Sequence, residues 1–317
     1  MTAVVDGSAI YVEWARVESY RCIRSVDLHL TPLHALIGPN DSGKSSLLRA
    51  IQLGHSTLGT SNGAVHRGAA VRAAYPSDRG TSLSMLENAE ISRVLSPALL
   101  RLNPDDLREP AEPFTTGQPL WFRNEHGRGL PALYDALLSR DLPAFFAIAK
   151  RFTAFFPTVL ALRMANSDEG HKTLGLTLTD STEVGSEAMS KGMLYWLAFA
   201  IIEHLNPTGM LLIEEPENGL HPSRIPEIMR ILREVSKRTQ VIVATYSPLI
   251  INELSPEEVT IVTRTPEAGT ICTPMLETKS FAERSKIYAL GELWLSYADG
   301  DLERELVTTD SSIPKAG

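Results

Sequence analysis

The chain has 317 residues, of which 43% are hydrophobic and 21% charged, and its formal net charge is −8. This composition is ordinary for a globular protein, and the length suits one large α/β unit or two modest domains. A protein that coats nucleic acid with its whole surface is usually basic, so nucleic-acid binding would require a local patch or a partner.

The sequence also bounds the cellular setting. We find no apolar run long enough to span a membrane, and the first residues do not have the pattern of a signal peptide. Two cysteines, Cys22 and Cys272, lie far apart in sequence and do not suggest a metal site. We therefore expect a cytoplasmic protein that does not contact a membrane.

The chain begins with strand-like segments. Residues 9–14 and 25–30 alternate apolar and polar side chains, and Leu33–Ile37 is the pattern of a buried strand. Consecutive strands of this kind predict a small antiparallel sheet joined to a larger core.

A phosphate-binding P-loop, G-x-x-x-x-G-K-[ST], follows the third strand. The predicted nucleotide-binding residues are Gly38, Pro39, Asn40, Asp41, Ser42, Gly43, Lys44, Ser45 and the adjacent Ser46. The glycines allow a tight loop whose backbone N–H groups wrap phosphate oxygens, and a helix N-terminus adds positive dipole. Lys44 would contact the β- and γ-phosphates of ATP, and the Ser45 hydroxyl would bind Mg²⁺. We expect the helix after the loop to end at Gly54.

The remaining patterns alternate between helix and strand. An aromatic stripe within residues 142–156 indicates core packing rather than a cofactor site. The predicted elements up to the middle of the chain are a loop at 55–82, a helix at 83–102, a short strand at 120–123, helices at 130–138 and 142–156, paired strands at 158–164 and 173–179, and a buried helix at 190–205. Those after it are a core strand at 210–213, a helix at 222–235, a core strand at 240–244, a hairpin at 259–263 and 269–273, a helix at 281–306 with a break near Gly291, and a loose tail at 307–317.

Two adjacent carboxylates, Glu214 and Glu215, end the core strand at 210–213. In a P-loop enzyme one carboxylate supports Mg²⁺ and the next can polarise the attacking water. Alternation along a strand would point the two side chains apart, so we expect different roles for them. An acidic turn without catalytic function is the alternative, and the upstream P-loop favours the catalytic interpretation.

The segment Ser190, Lys191 and Gly192 opens the buried helix. Ser190 is a good N-cap residue and could serve only in that way. Alternatively, its hydroxyl, the Gly192 amide and the helix dipole face a γ-phosphate.

The order of these motifs resembles a known family. P-loop, Ser-x-Gly helix, double carboxylate and Thr-x-Ser-Pro at 245–248 occur together in ABC-type ATPases of the SMC and RecF kind. The sequence is most similar to compact AAA-type ATPases of prokaryotic defence and OLD-like proteins, and the Glu-Pro-Glu-x-x-Leu-His-Pro turn at 215–222 is the most specific part. The resemblance implies an α/β P-loop NTPase: an ABC-ATPase-like mixed sheet core with an antiparallel β subdomain. It also implies a helical signature subdomain, near 83–205, within a single domain of residues 1–317.

The resemblance implies a homodimer that holds two ATP molecules and Mg²⁺ between its protomers. Ser190, Lys191 and Gly192 would contact the ATP of the opposite protomer. Glu215 would be the catalytic carboxylate, and Glu214 would take the Mg²⁺ side together with Ser45. Tyr246 stands where the family usually has the switch His, and Lys191 where it has Gly or Asp. Both departures predict slow hydrolysis or a mainly ATP-binding role. The family's Q-loop glutamine has no clear counterpart, and Gln118 is the nearest candidate.

OLD-type relatives carry an additional C-terminal TOPRIM nuclease domain. About 70 residues follow Pro248, fewer than an independent domain usually needs, and Asp299-Gly300-Asp301 has the pattern of a solvated turn. We therefore expect any nuclease or toxin activity to belong to a separate partner protein. Three alternatives remain open: a RecF-like DNA-binding ATPase, a non-hydrolysing ATP-dependent scaffold, and a transporter subunit, which the Leu-His-Pro turn disfavours.

Overall fold

A computed structural model describes residue 12 and residues 14–58, 73–74, 97–167, 170–278, 281 and 289–298. In chain order its strands are β1 (Trp14–Tyr20), β2 (Ile23–His29), β3 (Leu33–Ile37), β4 (Ala73–Ala74), β5 (Pro97–Leu100), β6 (Val159–Asn166), β7 (Lys172–Leu178), β8 (Glu183–Gly185), β9 (Met210–Glu214), β10 (Gln240–Thr245), β11 (Val259–Thr265) and β12 (Gly269–Pro274). The α-helices are α1 (Lys44–Leu58), α2 (Pro104–Arg108), α3 (Leu130–Arg140), α4 (Leu142–Phe155), α5 (Lys191–Ile202), α6 (Ile225–Ser236), α7 (Pro248–Ile251) and α8 (Leu290–Ala298).

The main sheet has six strands in the order β12-β11-β3-β10-β9-β5. All neighbouring pairs are parallel except β11 and β12, which form an antiparallel hairpin at one edge. Every residue of β3, β9 and β10 is buried. Continuous apolar runs such as these are typical of parallel strands that are covered on both faces.

Two hydrophobic clusters cover the two faces of this sheet. Alternate side chains of the central strands enter each cluster, as the period of a β-strand requires. Leu212 and Leu36 join α1 and the β1–β2 hairpin on one face, whereas Ile213 and Ile37 join α3, α4, α5 and α6 on the other. The P-loop helix and the helical bundle therefore lie on opposite faces.

Two smaller antiparallel sheets flank the core. One has the order β2-β1-β4, and the other has the order β6-β7-β8. In β2 buried and exposed residues nearly alternate, because this strand covers the core on one face only. The predicted small sheet before the P-loop and the predicted strand pair near residues 158–179 are thus both confirmed.

Three sequence-based predictions were wrong within the described residues. The helix α1 does not end at Gly54 but continues to Leu58. The predicted helix at 83–102 contains β5 instead, and residues 120–123 form a loop. A short apolar run does not distinguish strand from helix, and pairing with β9 decides the outcome for β5.

Several predictions lie outside the described residues. They are residues 9–11 and 13 of the first strand, most of the loop at 55–82, residues 83–96 of the predicted helix, residues 282–288 and 299–306 of the last helix, the turn at 299–301 and the tail at 307–317. Across the described ranges, none of the helices is both long and apolar enough to cross a membrane.

The helix α4 carries a matched pair of phenylalanines. Phe152 is 0% exposed and packs against Trp196 with ring centroids 5.6 Å apart, whereas Phe146 is 60% exposed. We expect Phe152→Ala to lower the free energy of unfolding by about 3–5 kcal/mol, because it leaves a cavity in the core. Phe146→Ala should change it by no more than about 0.5 kcal/mol. Urea titrations of both variants would measure this contrast, and equal effects would contradict the described packing of α4.

Candidate functional site

The carboxyl ends of three neighbouring parallel strands meet at one edge of the main sheet. Ile37 at the end of β3 is in register with Thr245 of β10, and Glu214 of β9 is in register with Ala244. The P-loop, the paired carboxylates and the Thr-x-Ser-Pro segment therefore leave the sheet side by side. Ligand sites of open α/β sheets form at this edge.

Close packing holds the P-loop in a tight curve. A Cβ on Gly38 would lie 2.0 Å from the carbonyl oxygen of Val262, and one on Gly43 would lie 2.3 Å from Thr270 Oγ1. Gly43 also has a φ of 109°, which side chains other than glycine rarely adopt. Thr270 Oγ1 donates a hydrogen bond of 3.0 Å to the carbonyl of Ser42. The β11–β12 hairpin thus supports the loop from outside.

Lys44 is folded against its own loop. Its Nζ donates hydrogen bonds to the carbonyl oxygens of Gly38 and Pro39, each at 2.7 Å. Burial lowers the pKa of Lys44. Four carboxylates oppose that effect and raise this pKa, those of Glu215, Glu217, Asp41 and Glu214. The ammonium group therefore lies where the P-loop meets the acidic turn.

The hydrogen-bond donors and oxygen ligands at this edge fit a nucleoside triphosphate with Mg²⁺. Within the described part of the chain, the buried Ser42 Oγ has no hydrogen-bond partner, and it lies beside Gly38 in the loop. The first turn of α1 contributes backbone N–H groups that have no acceptor inside the helix. The exposed Ser45 hydroxyl and the buried Glu214 carboxylate are oxygen ligands of the kind that Mg²⁺ prefers.

The two adjacent carboxylates have different surroundings. Glu214 ends β9 with its side chain 8% exposed, and its Oε2 lies 3.6 Å from Nε of Arg101. Glu215 has a φ of 49°, and its backbone N–H donates a 2.8 Å hydrogen bond to the carbonyl of Ala244. A left-handed backbone is uncommon for glutamate, so Glu215 leaves the strand's alternation immediately after Glu214.

A third carboxylate, Glu217, is turned inward. Its Oε1 accepts a 2.5 Å hydrogen bond from Thr245 Oγ1, which itself accepts one of 2.9 Å from the backbone N–H of Ser247. Its Oε2 is buried and, among the described residues, has no hydrogen-bond partner. Burial raises the pKa of Glu217, and the Thr245 hydrogen bond opposes the rise. Glu217 therefore ties the acidic turn to the end of β10, while Asn218 and Gly219 are exposed.

Tyr246 lies between these buried groups but faces outward. Its side chain is 49% exposed, whereas the neighbouring Thr245 and Ser247 are buried. The ring is therefore accessible at the same edge of the sheet as the P-loop.

Three predicted signature residues open α5: Ser190, Lys191 and Gly192. Ser190 Oγ accepts a 3.2 Å hydrogen bond from the backbone N–H of Met193, which confirms the N-cap. Lys191 Nζ donates a 3.1 Å hydrogen bond to Asn218, and a Cβ on Gly219 would lie 2.6 Å from Lys191 Cδ. Among the described residues neither side chain hydrogen-bonds to the P-loop, so the signature segment contacts the acidic turn instead.

Gln118, the candidate for the Q-loop, does not reach this edge through a described hydrogen bond. Its side chain accepts a hydrogen bond from the Thr115 backbone N–H, and its backbone carbonyl accepts one from Arg140.

Sequence patterns missed Arg101, which lies at this edge. Arg101 follows β5 directly, and its side chain forms an ion pair with Glu214. A strand prediction for Pro97–Leu100 would have revealed it as the first polar residue at a strand end.

Comparison with protein families gives one match that covers the whole site. The family described as "AAA domain, putative AbiEii toxin, Type IV TA system" matches residues 33–187 and 175–252. These segments together include the P-loop, the signature segment, the paired carboxylates and the Thr-x-Ser-Pro segment, and they span more than half of the chain. The predicted resemblance to compact AAA-type ATPases is confirmed.

Solved structures agree on the fold. A Smc head bound to the C-winged helix domain of ScpA has a TM-score of 0.51 and 17% identity, over 83% of this chain and 97% of that chain. The Smc head domain with an extended coiled coil from Pyrococcus furiosus, bound to the C-terminal domain of ScpA, has a TM-score of 0.51 and 15% identity, over 87% and 100%. The predicted α/β P-loop NTPase fold with a mixed, ABC-ATPase-like sheet is confirmed.

A short segment resembles a curated protein. Over 38 residues the chain is 50% identical to the OLD nuclease of Thermus scotoductus (strain ATCC 700910 / SA-01). The match spans 12% of this chain and 7% of that nuclease. This similarity agrees with an ATPase of the SMC and OLD type.

The raised pKa of Glu217 predicts a pH-dependent stability difference. As pH rises above the ordinary value of 4.5, the unfolded chain loses this proton before the folded chain does. The contribution of protonated Glu217 is therefore complete below that value and is lost as pH rises through the folded-state pKa. Glu217→Gln keeps an acceptor for Thr245 without this loss. Its free energy of unfolding relative to wild type should increase between about pH 4 and about pH 8.

Urea unfolding at several pH values would measure that difference. Glu234→Gln is a suitable control, because the hydrogen bond from Lys237 lowers the pKa of the exposed Glu234. The contribution of Glu234 therefore changes only as pH falls below the ordinary value of 4.5, and the difference between Glu234→Gln and wild type should stay nearly constant at higher pH. A constant difference between Glu217→Gln and wild type across the pH range would contradict the buried, partly unpaired carboxylate.

Proposed function

Because the chain belongs to the AAA-domain family described as "AAA domain, putative AbiEii toxin, Type IV TA system", we propose that it is an ATP-binding and ATP-hydrolysing dimeric switch. The switch controls a partner effector or a nucleic acid, in prokaryotic anti-phage defence and in the cytoplasm. One observation carries the proposal: Lys44 of the P-loop and the carboxylates after β9 converge at one edge of the sheet.

Each residue at this edge has a role in the proposed reaction. The P-loop amides and Lys44 would hold the phosphates of ATP, and Ser45 and Glu214 would hold Mg²⁺, which would neutralise charge at the phosphates. Glu215 orients and deprotonates the attacking water. A hydrogen bond from its backbone N–H to the carbonyl of Ala244 holds Glu215 at the end of β10.

The signature segment supports the proposed dimer. Ser190 caps α5 and Lys191 donates a hydrogen bond to Asn218 of the acidic turn, and among the described residues neither side chain hydrogen-bonds to the P-loop of its own chain. We assign Ser190, Lys191 and Gly192 to the ATP of a second protomer, with the signature subdomain predicted near 83–205 as the part that carries them. The strand β5 within that range belongs to the main sheet instead. The exposed Tyr246 lies at the same edge of the sheet as the P-loop of its own chain, and we assign it to the γ-phosphate held there.

The proposed partner is a separate nuclease or toxin. The family description and the short OLD nuclease match support a defence role, because both connect related ATPases with toxic or nucleolytic proteins. ATP-dependent closure of the dimer would then change the surface that the effector recognises.

A non-hydrolysing scaffold is the second candidate, and Tyr246 favours it. A Tyr hydroxyl is neutral and has a different reach from the imidazole usual at this position, so its contact with a γ-phosphate would be weaker. In that case ATP would hold the dimer closed without turnover.

Two variants separate binding from hydrolysis. Lys44→Ala removes the phosphate-binding charge and should weaken ATP binding at least tenfold, about 1.4 kcal/mol. Glu215→Gln keeps the shape of the side chain but removes the base, so it should retain ATP binding and lower turnover by roughly 10²-fold. Calorimetry would measure binding and phosphate release would measure turnover.

Lys237→Ala is the matched control for lost charge, because Lys237 forms an exposed ion pair with Glu234. It should bind ATP as wild type does. Unchanged ATP affinity in Lys44→Ala would refute the binding site. ATP binding with no turnover in wild type would favour the scaffold.

A mixing experiment tests the shared site. Ser190→Arg blocks the signature and leaves the P-loop intact, whereas Lys44→Ala does the reverse, so each homodimer should be nearly inactive. A mixed dimer would combine the intact P-loop of one chain with the intact signature of the other. Mixing the two inactive preparations should therefore restore part of the ATPase activity.

The control mixture contains the Lys44→Ala chain and a chain that carries both Lys44→Ala and Ser190→Arg. It has no complete site and should stay inactive. Absence of recovery in samples that native mass measurement shows to contain mixed dimers would contradict a site shared between protomers.

A further inference from the structure

Arg101 is placed at the candidate metal site by strand pairing. β5 and β9 are parallel neighbours with Leu99 opposite Leu212 and Leu100 opposite Ile213. Continuing this register by one residue sets Arg101 opposite Glu214. Leu99 and Leu212 belong to the cluster that packs against α1, so alternation directs Arg101 and Glu214 toward the P-loop helix as well.

The backbone of Arg101 is anchored on both sides. Its N–H donates a 2.7 Å hydrogen bond to the carbonyl of Glu125, and its carbonyl lies 3.0 Å from Nδ1 of His126. The Glu125 side chain in turn accepts a 2.5 Å hydrogen bond from Arg49 of α1. The backbone of Arg101 is therefore held at a fixed position relative to the P-loop helix.

The ion pair between Arg101 and Glu214 is asymmetric. The Glu214 side chain is 8% exposed and that of Arg101 is 67% exposed, with 3.6 Å between Nε and Oε2. A buried carboxylate requires a cation or hydrogen-bond donors, because burial without them is costly. An exposed guanidinium at this distance supplies the charge but is easily displaced.

Mg²⁺ would need the same carboxylate oxygens. We infer that Arg101 is a positioning residue that neutralises Glu214 in the metal-free state and is exchanged for Mg²⁺ when the metal–nucleotide binds. Without Arg101, the Glu214 carboxylate would repel an incoming triphosphate until the metal is present. Arg101 thus reduces the dependence of nucleotide binding on Mg²⁺. This inference rests on the proposed ATP site.

The test compares ATP affinity in Mg²⁺ with ATP affinity in EDTA. The dissociation constant in EDTA divided by that in Mg²⁺ is the factor by which Mg²⁺ strengthens ATP binding. We expect Arg101→Gln to increase this ratio about tenfold, mainly through weaker binding in EDTA. Arg101→Lys retains the cation and should stay close to wild type.

Two further variants serve as controls. Arg163→Gln removes the same charge from an exposed ion pair with Glu183 on the β6-β7-β8 sheet and should leave the ratio unchanged. In a Glu214→Gln background, Arg101→Gln should have no further effect on the ratio, because the charge that it neutralises is gone. Circular dichroism would check that each variant is folded.

The outcomes separate this inference from the proposed function. If wild type binds no ATP, or if Lys44→Ala binds as well as wild type does, the proposed site fails. If wild type binds ATP normally but Arg101→Gln leaves the ratio unchanged, the exchange is refuted. An equal loss of affinity in Mg²⁺ and in EDTA also leaves the ratio unchanged. It would make Arg101 a direct nucleotide contact and refute the exchange. A smaller ratio in Arg101→Gln would also refute it.

Discussion

The parallel register of β5, β9, β10 and β3 is the constraint on which the candidate site depends. Because these strands run in one direction with aligned ends, residues distant in sequence leave the sheet at one edge. The P-loop, Glu214 and Thr245 are brought together in this way, and Arg101 joins them from the outermost strand. A slip of one residue between β9 and β10 would reverse the faces of every side chain on the slipped strand.

The P-loop is supported by chain segments that flank it at both ends of the sequence. Thr270 of β12 donates to the carbonyl of Ser42, and its own backbone N–H donates a 3.2 Å hydrogen bond to the carbonyl of Cys22 in the β1–β2 turn. Gly43 is confined by the same threonine and by the Cys22 sulfur. The β2-β1-β4 sheet, the β11–β12 hairpin and the P-loop therefore form one packed unit. A displacement of the sheet or of the hairpin would change the contacts of Gly43.

The middle and the C-terminal end of α5 are held by a different part of the molecule. Arg151 of α4 lies over the Trp196 ring of α5, and it pairs with Glu227 of α6 at 2.5 Å and with Glu203 at 3.3 Å. These contacts join three helices around an aromatic core on the face opposite the P-loop helix. Lys191, at the other end of α5, contacts the acidic turn. Helix α5 therefore connects the helical bundle to the acidic turn that follows the paired carboxylates.

The sequence by itself determined the P-loop, the paired carboxylates, the N-cap at Ser190 and the buried central strands, because each of these depends on local spacing and apolar continuity. It did not determine that Pro97–Leu100 is a strand, because a four-residue apolar run suits either helix or strand until a partner such as β9 is present. Arg101 and the inward-facing Glu217 were missed for the same reason. Their partners, Glu214 and Thr245, are distant in sequence or lie on another strand, and only the tertiary register brings them within hydrogen-bonding or ion-pair distance.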